Sequence, residues 1–268
     1  MIKAVFLDFD GTIFSHSSVS IPASTIRAIN ELRKKGIVVF MCTGRAPGEM
    51  HQFDLSELKL DGWIMSNGQM VLDEKGDLIY EKCIGDELKD RLVRIFERKT
   101  IAMYLINRDD IYLNLINDKV RSIQSVVSSG IPRIGEYQGE KLYMASAFFA
   151  DKDDEKYMQE IEDLADITWW QEGCVDIVPK GISKINGIDE VLRIYGINRE
   201  EAMGIGDGEN DIRMLEHCGI AVAMGNSVEE LKPYADYITD DIDEDGLYKA
   251  LKHYGLIEEE TCSTVSER

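Results

Sequence analysis

The sequence predicts an α/β protein: a parallel-sheet domain assembled from both ends of the chain, with an α+β module inserted between them. Three observations carry this. Residues 1–82 alternate apolar runs with a helical pattern, while residues 83–181 switch to helix–strand–strand units with tight hairpins. From Ser183 onward the first pattern returns. The apolar runs of the two outer segments end on polar residues, as strands do when their carboxyl ends form the ligand site of an open α/β sheet.

Taken in order, Ile2–Leu7 reads as a buried strand. Ser24–Lys35 has Ile26, Ile29 and Leu32 at helical spacing and stops at Gly36. Ile37–Cys42, rich in β-branched residues, is a second strand, and Trp63–Met65 a third that leads into Ser66-Asn67-Gly68. Met70–Leu72 and Leu78–Tyr80 flank Glu74-Lys75-Gly76 as a hairpin. In the inserted segment, Asp86–Glu97 is an amphipathic helix. Ala102–Ile106 and Ile111–Leu115 form a hairpin around Arg108-Asp109-Asp110, and Lys119–Ser128 is a helix. Leu142–Phe149 is a strand, Asp153–Leu164 a helix, and Thr168–Trp170 with Val175–Val178 a second hairpin around Glu172-Gly173. Trp169 and Trp170, adjacent on a strand, must face opposite sides, one toward the core of the inserted module and the other toward solvent or a cleft. The last segment reads as helix Ser183–Tyr195, strand Ala202–Gly206, helix Glu209–His217, strand Ile220–Ala223, a short helix Val228–Tyr234 and helix Asp245–His253, with a mobile polar tail after Ile257.

Composition narrows the partners. The 268 residues suit one large or two modest domains, and 44% hydrophobic content is ample for a core. A net charge of −20 argues against nucleic acid and against anionic membrane surfaces, so an anionic substrate must be drawn in by a metal or a few local cations. Five cysteines without metal-ligand spacing fit reduced thiols; Cys42 reads as a small core residue. The chain enters a strand at once, with no signal-peptide pattern, which predicts a cytoplasmic protein, a monomer or small homo-oligomer.

The chemistry concentrates at three strand ends. Asp8-Phe9-Asp10-Gly11-Thr12 closes the first strand with two carboxylates that cannot both stay ionised without a cation or a shared proton. Thr43-Gly44-Arg45 closes the second, offering a hydroxyl and backbone N–H groups suited to phosphate. Asp207-Gly208-Glu209-Asn210-Asp211 follows Ala202–Gly206, and the i, i+4 spacing turns Asp207 and Asp211 to one side. Three carboxylates without clustered His or Cys point to a hard cation, Mg²⁺ before Zn²⁺, and so to phosphoryl chemistry. His16 reads as an ordinary loop histidine.

These residues resemble the motifs of the haloacid dehalogenase-like phosphatases. Asp8–Thr12 is similar to the first motif, Thr43-Gly44-Arg45 to the second, Lys184 in Gly181-Ile182-Ser183-Lys184 to the third, and Gly206–Asp211 to the fourth. An insertion between the second and third motifs, with Ser66-Asn67-Gly68 and Asp245-Gly246-Leu247, resembles the Cof-type branch with a type IIB cap. The resemblance implies a Rossmann-like catalytic core of residues 1–82 and 182–268, and a specificity-setting cap of residues 83–181. It implies Asp8 as nucleophile and Asp10 as acid–base. The Phe9 and Gly44 amides, Thr43, Lys184 and Asn210 would hold the phosphoryl group. Asp8, the Asp10 carbonyl and Asp207 would bind Mg²⁺, with Asp211 behind them, and Arg45 and Asn67 would be substrate contacts.

The expected activity is Mg²⁺-dependent hydrolysis of a small phosphorylated metabolite through an aspartyl-phosphate on Asp8. Sugar phosphates lead, followed by cofactor phosphates. Two rivals use the same nucleophile. A phosphomutase would keep the phosphoryl group and need a bisphosphate activator. A non-enzymatic aspartyl-phosphate switch would need neither Asp10 nor the inserted module.

Overall fold

The computed structural model describes residues 1–126 and 130–258. Strands β1 (Ala4–Asp8), β2 (Val38–Cys42), β3 (Gly62–Met65), β4 (Met70–Asp73) and β5 (Leu78–Glu81) come from the first part of the chain. They join three strands from the last part in one eight-stranded sheet. The inserted strands β6 (Ala102–Ile106), β7 (Ile111–Leu113), β8 (Arg133–Ile134), β9 (Met144–Phe148), β10 (Ala165–Gln171) and β11 (Cys174–Pro179) form a separate six-stranded sheet. The last-part strands are β12 (Ala202–Gly206), β13 (Ile220–Ala223) and β14 (Tyr237–Ile238), and the large sheet runs β14-β13-β12-β1-β2-β3-β4-β5. From β14 to β3 every pairing is parallel; β4 and β5 extend the sheet antiparallel.

Both faces of the large sheet are covered, which is why its central strands β1, β2 and β12 are apolar throughout rather than alternating, while the edge strand β5 alternates. On one side lie helices α1 (Ala23–Lys34) and, near the end of the chain, Gly246–His253. They bring Ala28, Ile29, Leu32, Leu247, Ala250 and Leu251 against Val5, Leu7 and Met203. Helix α2 (Asp86–Arg98) packs Leu88, Leu92, Ile95 and Phe96 on one face of the inserted sheet. Helix α3 (Asp118–Val126) packs Val120 and Ile123 on the other. The opposite side of the large sheet is covered by α4 (Lys184–Tyr195) and α5 (Ile212–His217), through Ile188, Val191, Leu192, Met214 and Leu215. Gly246–His253 is then α6. Helix α4 starts at Ser183, whose N–H is met by the Asn186 side chain, and stops at Gly196 with φ +64°.

The expected strands are all present, their ends within two residues except that β10 begins at Ala165, three before the expected Thr168. The expected helix Glu209–His217 opens with a 3-10 turn at Glu209–Asp211, and the structure corrects two other helices. Asp153–Leu164 is a 3-10 helix over Lys152–Glu160: only Met158 of it is buried, too narrow an apolar face to hold α-helical geometry. Val228–Tyr234 keeps only a 3-10 turn at Lys232–Tyr234, because Pro233 lacks the N–H that an α-helix needs there. The expected end of Lys119–Ser128 and the tail after Glu258 lie outside the described residues. Strands β8 and β14, of two residues each, and a 3-10 helix at Pro47–Gln52 carry too little periodicity to be read from sequence. Neither tryptophan is core: Trp169 and Trp170 are 41% and 40% exposed, with Trp170 at a bulge in β10 between Trp169 and Gln171. Trp169 packs on Phe149, and Trp170 on Phe148 at the sheet face that carries α3.

Candidate active site

The carboxyl ends of β1, β2 and β12 meet because these strands are adjacent and parallel, with Asp8 paired to Cys42 and Ile205 to Leu7 in register. A cleft of about 460 Å³ opens there, between this edge of the large sheet and the α3-bearing face of the inserted sheet. Asp8, Asp10, Thr43, Gly44, Arg45, Asp207 and Asn210 line it. The Phe9 side chain does not: its ring packs among Phe14 and Phe53, and the Phe9 carbonyl accepts the N–H groups that fold residues 12–14 back.

Lys184 is the pivot beneath the cleft. Its side chain, the first of α4, runs fully buried to a carboxylate on each side. Nζ donates to Asp211 Oδ1 at 2.6 Å and to Asp8 Oδ1. Burial alone would push this ammonium down, but Asp211 and Asp8 outweigh it and hold its pKa above the ordinary lysine value. Asp211 is anchored in turn, its Oδ2 accepting the Asp207 and Gly208 backbone N–H groups at 3.0 Å each.

Asp8, Asp207 and Asp211 each offer a carboxylate oxygen, all within 4.8 Å of one another. Burial first, then neighbouring Asp211, push Asp207 up to about 7, against a hydrogen bond from Thr12 Oγ1 at 3.0 Å. Asp8 is raised as well, by burial and by Asp211, Asp207 and Asp10, with Lys184 opposing. One ammonium does not balance this set, and an all-oxygen donor set fits a hard divalent cation such as Mg²⁺. Gly11 keeps the set open. At φ +81°, a Cβ there would stand 2.2 Å from Asp207 Oδ2. Gly11→Ala is therefore expected to displace Asp207 and to raise several-fold the Mg²⁺ concentration for half-maximal activity, measured by metal titration.

Asp10 stands apart from this cluster. Arg45 grips it with two hydrogen bonds, Nε to Oδ2 and Nη2 to Oδ1, both 2.8 Å. His16 Nε2 lies 2.9 Å from Asp10 Oδ1. Burial raises this carboxyl, yet the bonds and charges of His16 and Arg45 outweigh it and leave Asp10 at about 2. His16 is thus not an ordinary loop residue: residues 11–20 fold as a small flap, with Ser15 bridged to Ser20, that delivers its ring to Asp10. Thr43 Oγ1 accepts from the Arg45 N–H at 3.1 Å. Asn67, at φ +53°, sits behind Gly44 and accepts from Asn210 Nδ2 at 3.3 Å.

Two further carboxylates face the cleft and were not anticipated from sequence. Glu49, on the 3-10 helix after β2, accepts from the Ala46 N–H at 2.7 Å and is raised by burial. Asp176 on β11 accepts from Ser146 Oγ at 2.8 Å and from Trp170, and burial pushes it up to about 7. A signal existed for Asp176, a lone carboxylate inside the apolar strand Cys174-Val175-Asp176-Ile177-Val178. Glu49 gave none.

Fold and site together define a hydrolase of the haloacid dehalogenase-like class, and the chain belongs to that family, whose profile matches residues 5–251. YkrA of Bacillus subtilis (strain 168) is 32% identical over 259 residues, which make up 95% of this chain and 98% of YkrA. The 5-amino-6-(5-phospho-D-ribitylamino)uracil phosphatase YcsE of the same organism is 28% identical, over 95% of this chain and 96% of YcsE. The solved structure of BT4131, a sugar phosphatase of subclass IIB, superposes with a TM-score of 0.84 at 34% identity, covering 95% of this chain and all of that one. Two other curated relatives are longer, the chain spanning 55% and 46% of them. Among the described residues no helix is long and apolar enough to cross a membrane.

Proposed function

We propose that this phosphoric monoester hydrolase acts on small phosphorylated metabolites, sugar or polyol phosphates first, with Mg²⁺ and through a phosphoryl group carried on Asp8. The observation that carries the reading is the buried Lys184 linked to Asp8, beside a carboxylate set that needs more positive charge than Lys184 supplies. The names of YcsE and BT4131 support the substrate class, since a ribityl chain and a sugar both leave as polyols.

Asp8 is the nucleophile: one carboxylate oxygen bonds to phosphorus as the ester P–O bond breaks. Lys184 is anchored by Asp211 and holds Asp8 by its Oδ1, which orients the carboxylate for in-line approach. Asp10 gives the departing alkoxide a proton, then takes one from the water that cleaves the acyl phosphate, regenerating Asp8 and releasing phosphate. Arg45 and His16 hold Asp10 as the anion, the form required in the second half. The acid form needed in the first half requires Arg45 to give up its grip. Thr43, the Gly44 and Phe9 amides and Asn210 are the proposed phosphoryl donors. Mg²⁺ held by Asp8, the Asp10 carbonyl and Asp207, with Asp211 behind or among them, would supply charge neutralisation for the phosphoryl oxygens. Residues 83–181 act as a cap over a core of residues 1–82 and 182–268, with Trp170 and the α3-bearing face of the inserted sheet above the phosphoryl site.

The test is metal removal. Phosphate release from p-nitrophenyl phosphate is expected to fall to background in chelator and to return with Mg²⁺ more than with Ca²⁺, whose longer bonds suit in-line transfer poorly. Asp207→Ala should abolish activity or raise the Mg²⁺ requirement by about tenfold or more. Full activity of the wild-type protein in chelator would overturn the metal assignment.

A further inference from the structure

Tyr104, Ser146 and Asp176 stand side by side on three neighbouring strands of the inserted sheet, Ser146 being the register partner of both others. All three point into the cleft from the face opposite α2. Around them the face is apolar, with Met144, Phe148 and Trp170. Glu49 rises from the core side, near enough for its charge to act on Asp176. The half of the cleft that must hold the leaving group therefore presents two carboxyl groups, the hydroxyls of Tyr104 and Ser146, and an indole. Among the described residues lining the cleft Arg45 is the one full cation, and its guanidinium donates twice to Asp10.

We propose that Asp176 and Glu49, one from each side of the cleft, form the leaving-group subsite, which accepts hydrogen bonds from a neutral, hydroxyl-rich leaving group and rejects one bearing a second anion. The inference rests on the phosphatase reading above and names what that site discriminates. Its physical basis is short. Ser146 and Trp170 orient the Asp176 carboxyl and occupy part of its acceptor capacity. The rest faces the cleft, where a hydroxyl satisfies it and a carboxylate or phosphate meets like charge in a partly desolvated space. Trp170, which lines the cleft, offers apolar surface to the carbon side of a sugar or polyol.

The test compares three probes on wild type, Asp176→Asn and Glu49→Gln: glucose 6-phosphate, 3-phosphoglycerate and p-nitrophenyl phosphate. Both substitutions are isosteric, and asparagine can still accept from Ser146. Wild type should favour glucose 6-phosphate over 3-phosphoglycerate by tenfold or more in kcat/KM. Asp176→Asn should lower kcat/KM for glucose 6-phosphate about tenfold, chiefly through KM, and narrow the gap to 3-phosphoglycerate. It should leave p-nitrophenyl phosphate within about twofold, because phosphoryl contacts are untouched. Binding is read separately by quenching of tryptophan fluorescence in the Asp8→Asn background, where nothing turns over. Preference for glucose 6-phosphate that shrinks on Asp176→Asn or Glu49→Gln supports the subsite even if no probe is hydrolysed, in which case the phosphatase reading alone fails. Turnover with a probe ranking unchanged in both variants, or wild-type preference for the anionic ester, overturns the subsite and leaves the phosphatase reading standing.

Discussion

Asp8→Asn is expected to lower kcat on p-nitrophenyl phosphate by about 10³-fold or more, with the fold intact. The amide keeps the shape of the carboxylate and still accepts from Lys184 through its oxygen, but it is a far poorer nucleophile toward phosphorus. Lys184 retains Asp211, so no buried charge is left alone. Circular dichroism should match wild type. Rapid acid quench of wild type during turnover should leave phosphate on the peptide that carries Asp8, and quench of the variant should not. A variant with more than a few percent of wild-type activity, or phosphate recovered elsewhere, would remove Asp8 from the mechanism.

Lys184→Met should cost as much in stability as a large core truncation. The methionine fills similar space, yet it leaves Asp8 and Asp211 facing one another in a buried site with no cation between them. Removing one partner from a buried ionic cluster costs on the order of 3–5 kcal/mol. The sign with pH is fixed by the direction of the shift. Lys184 is raised by its carboxylate partners, so its stabilisation is complete below the ordinary lysine value and present in full at neutral pH. The variant should therefore melt well below wild type at pH 7, and Mg²⁺ should recover part of the difference by supplying charge to the same oxygens. Unchanged melting in the absence of metal would mean that the carboxylates are not held as anions by this lysine.

The fold and the cluster of polar strand ends that forms the candidate site were legible in the sequence for one physical reason. In a doubly covered parallel sheet each strand is a continuous apolar run, so a polar cluster at its end stands out, and parallel pairing brings such ends together. Asp8, Thr43 and Asp207 lie on that edge for that reason. What escaped depends on relations that no short window contains. His16 reaches Asp10 only because residues 11–20 curl back as a flap. Asp176 faces the cleft because of antiparallel register across three strands, and Glu49 because a six-residue 3-10 helix turns it inward. The tryptophans alternate as expected, but the bulge at Trp170 leaves both half out of the core. The two misread helices had helical composition; one lacked an apolar face, and in the other a proline removed the needed N–H.

The placement of β1 between β2 and β12 also governs how the chain comes into being on the ribosome. β2 follows β1 closely, but Ala4 pairs with Ala202, so one edge of β1 stays open until the chain has been made as far as β12. Throughout that interval the nascent chain carries an apolar ribbon, Ala4 to Leu7, with free backbone donors and acceptors, the kind of edge that recruits other strands. The six-stranded sheet, contiguous over residues 102–179, can close meanwhile without it. Lys184 comes late in the chain, so Asp8 meets the ammonium that holds it only after the inserted sheet has been made. Assembly of the large sheet and completion of the carboxylate cluster are one late event, and the long-range pairing of β1 with β12 predicts slow folding.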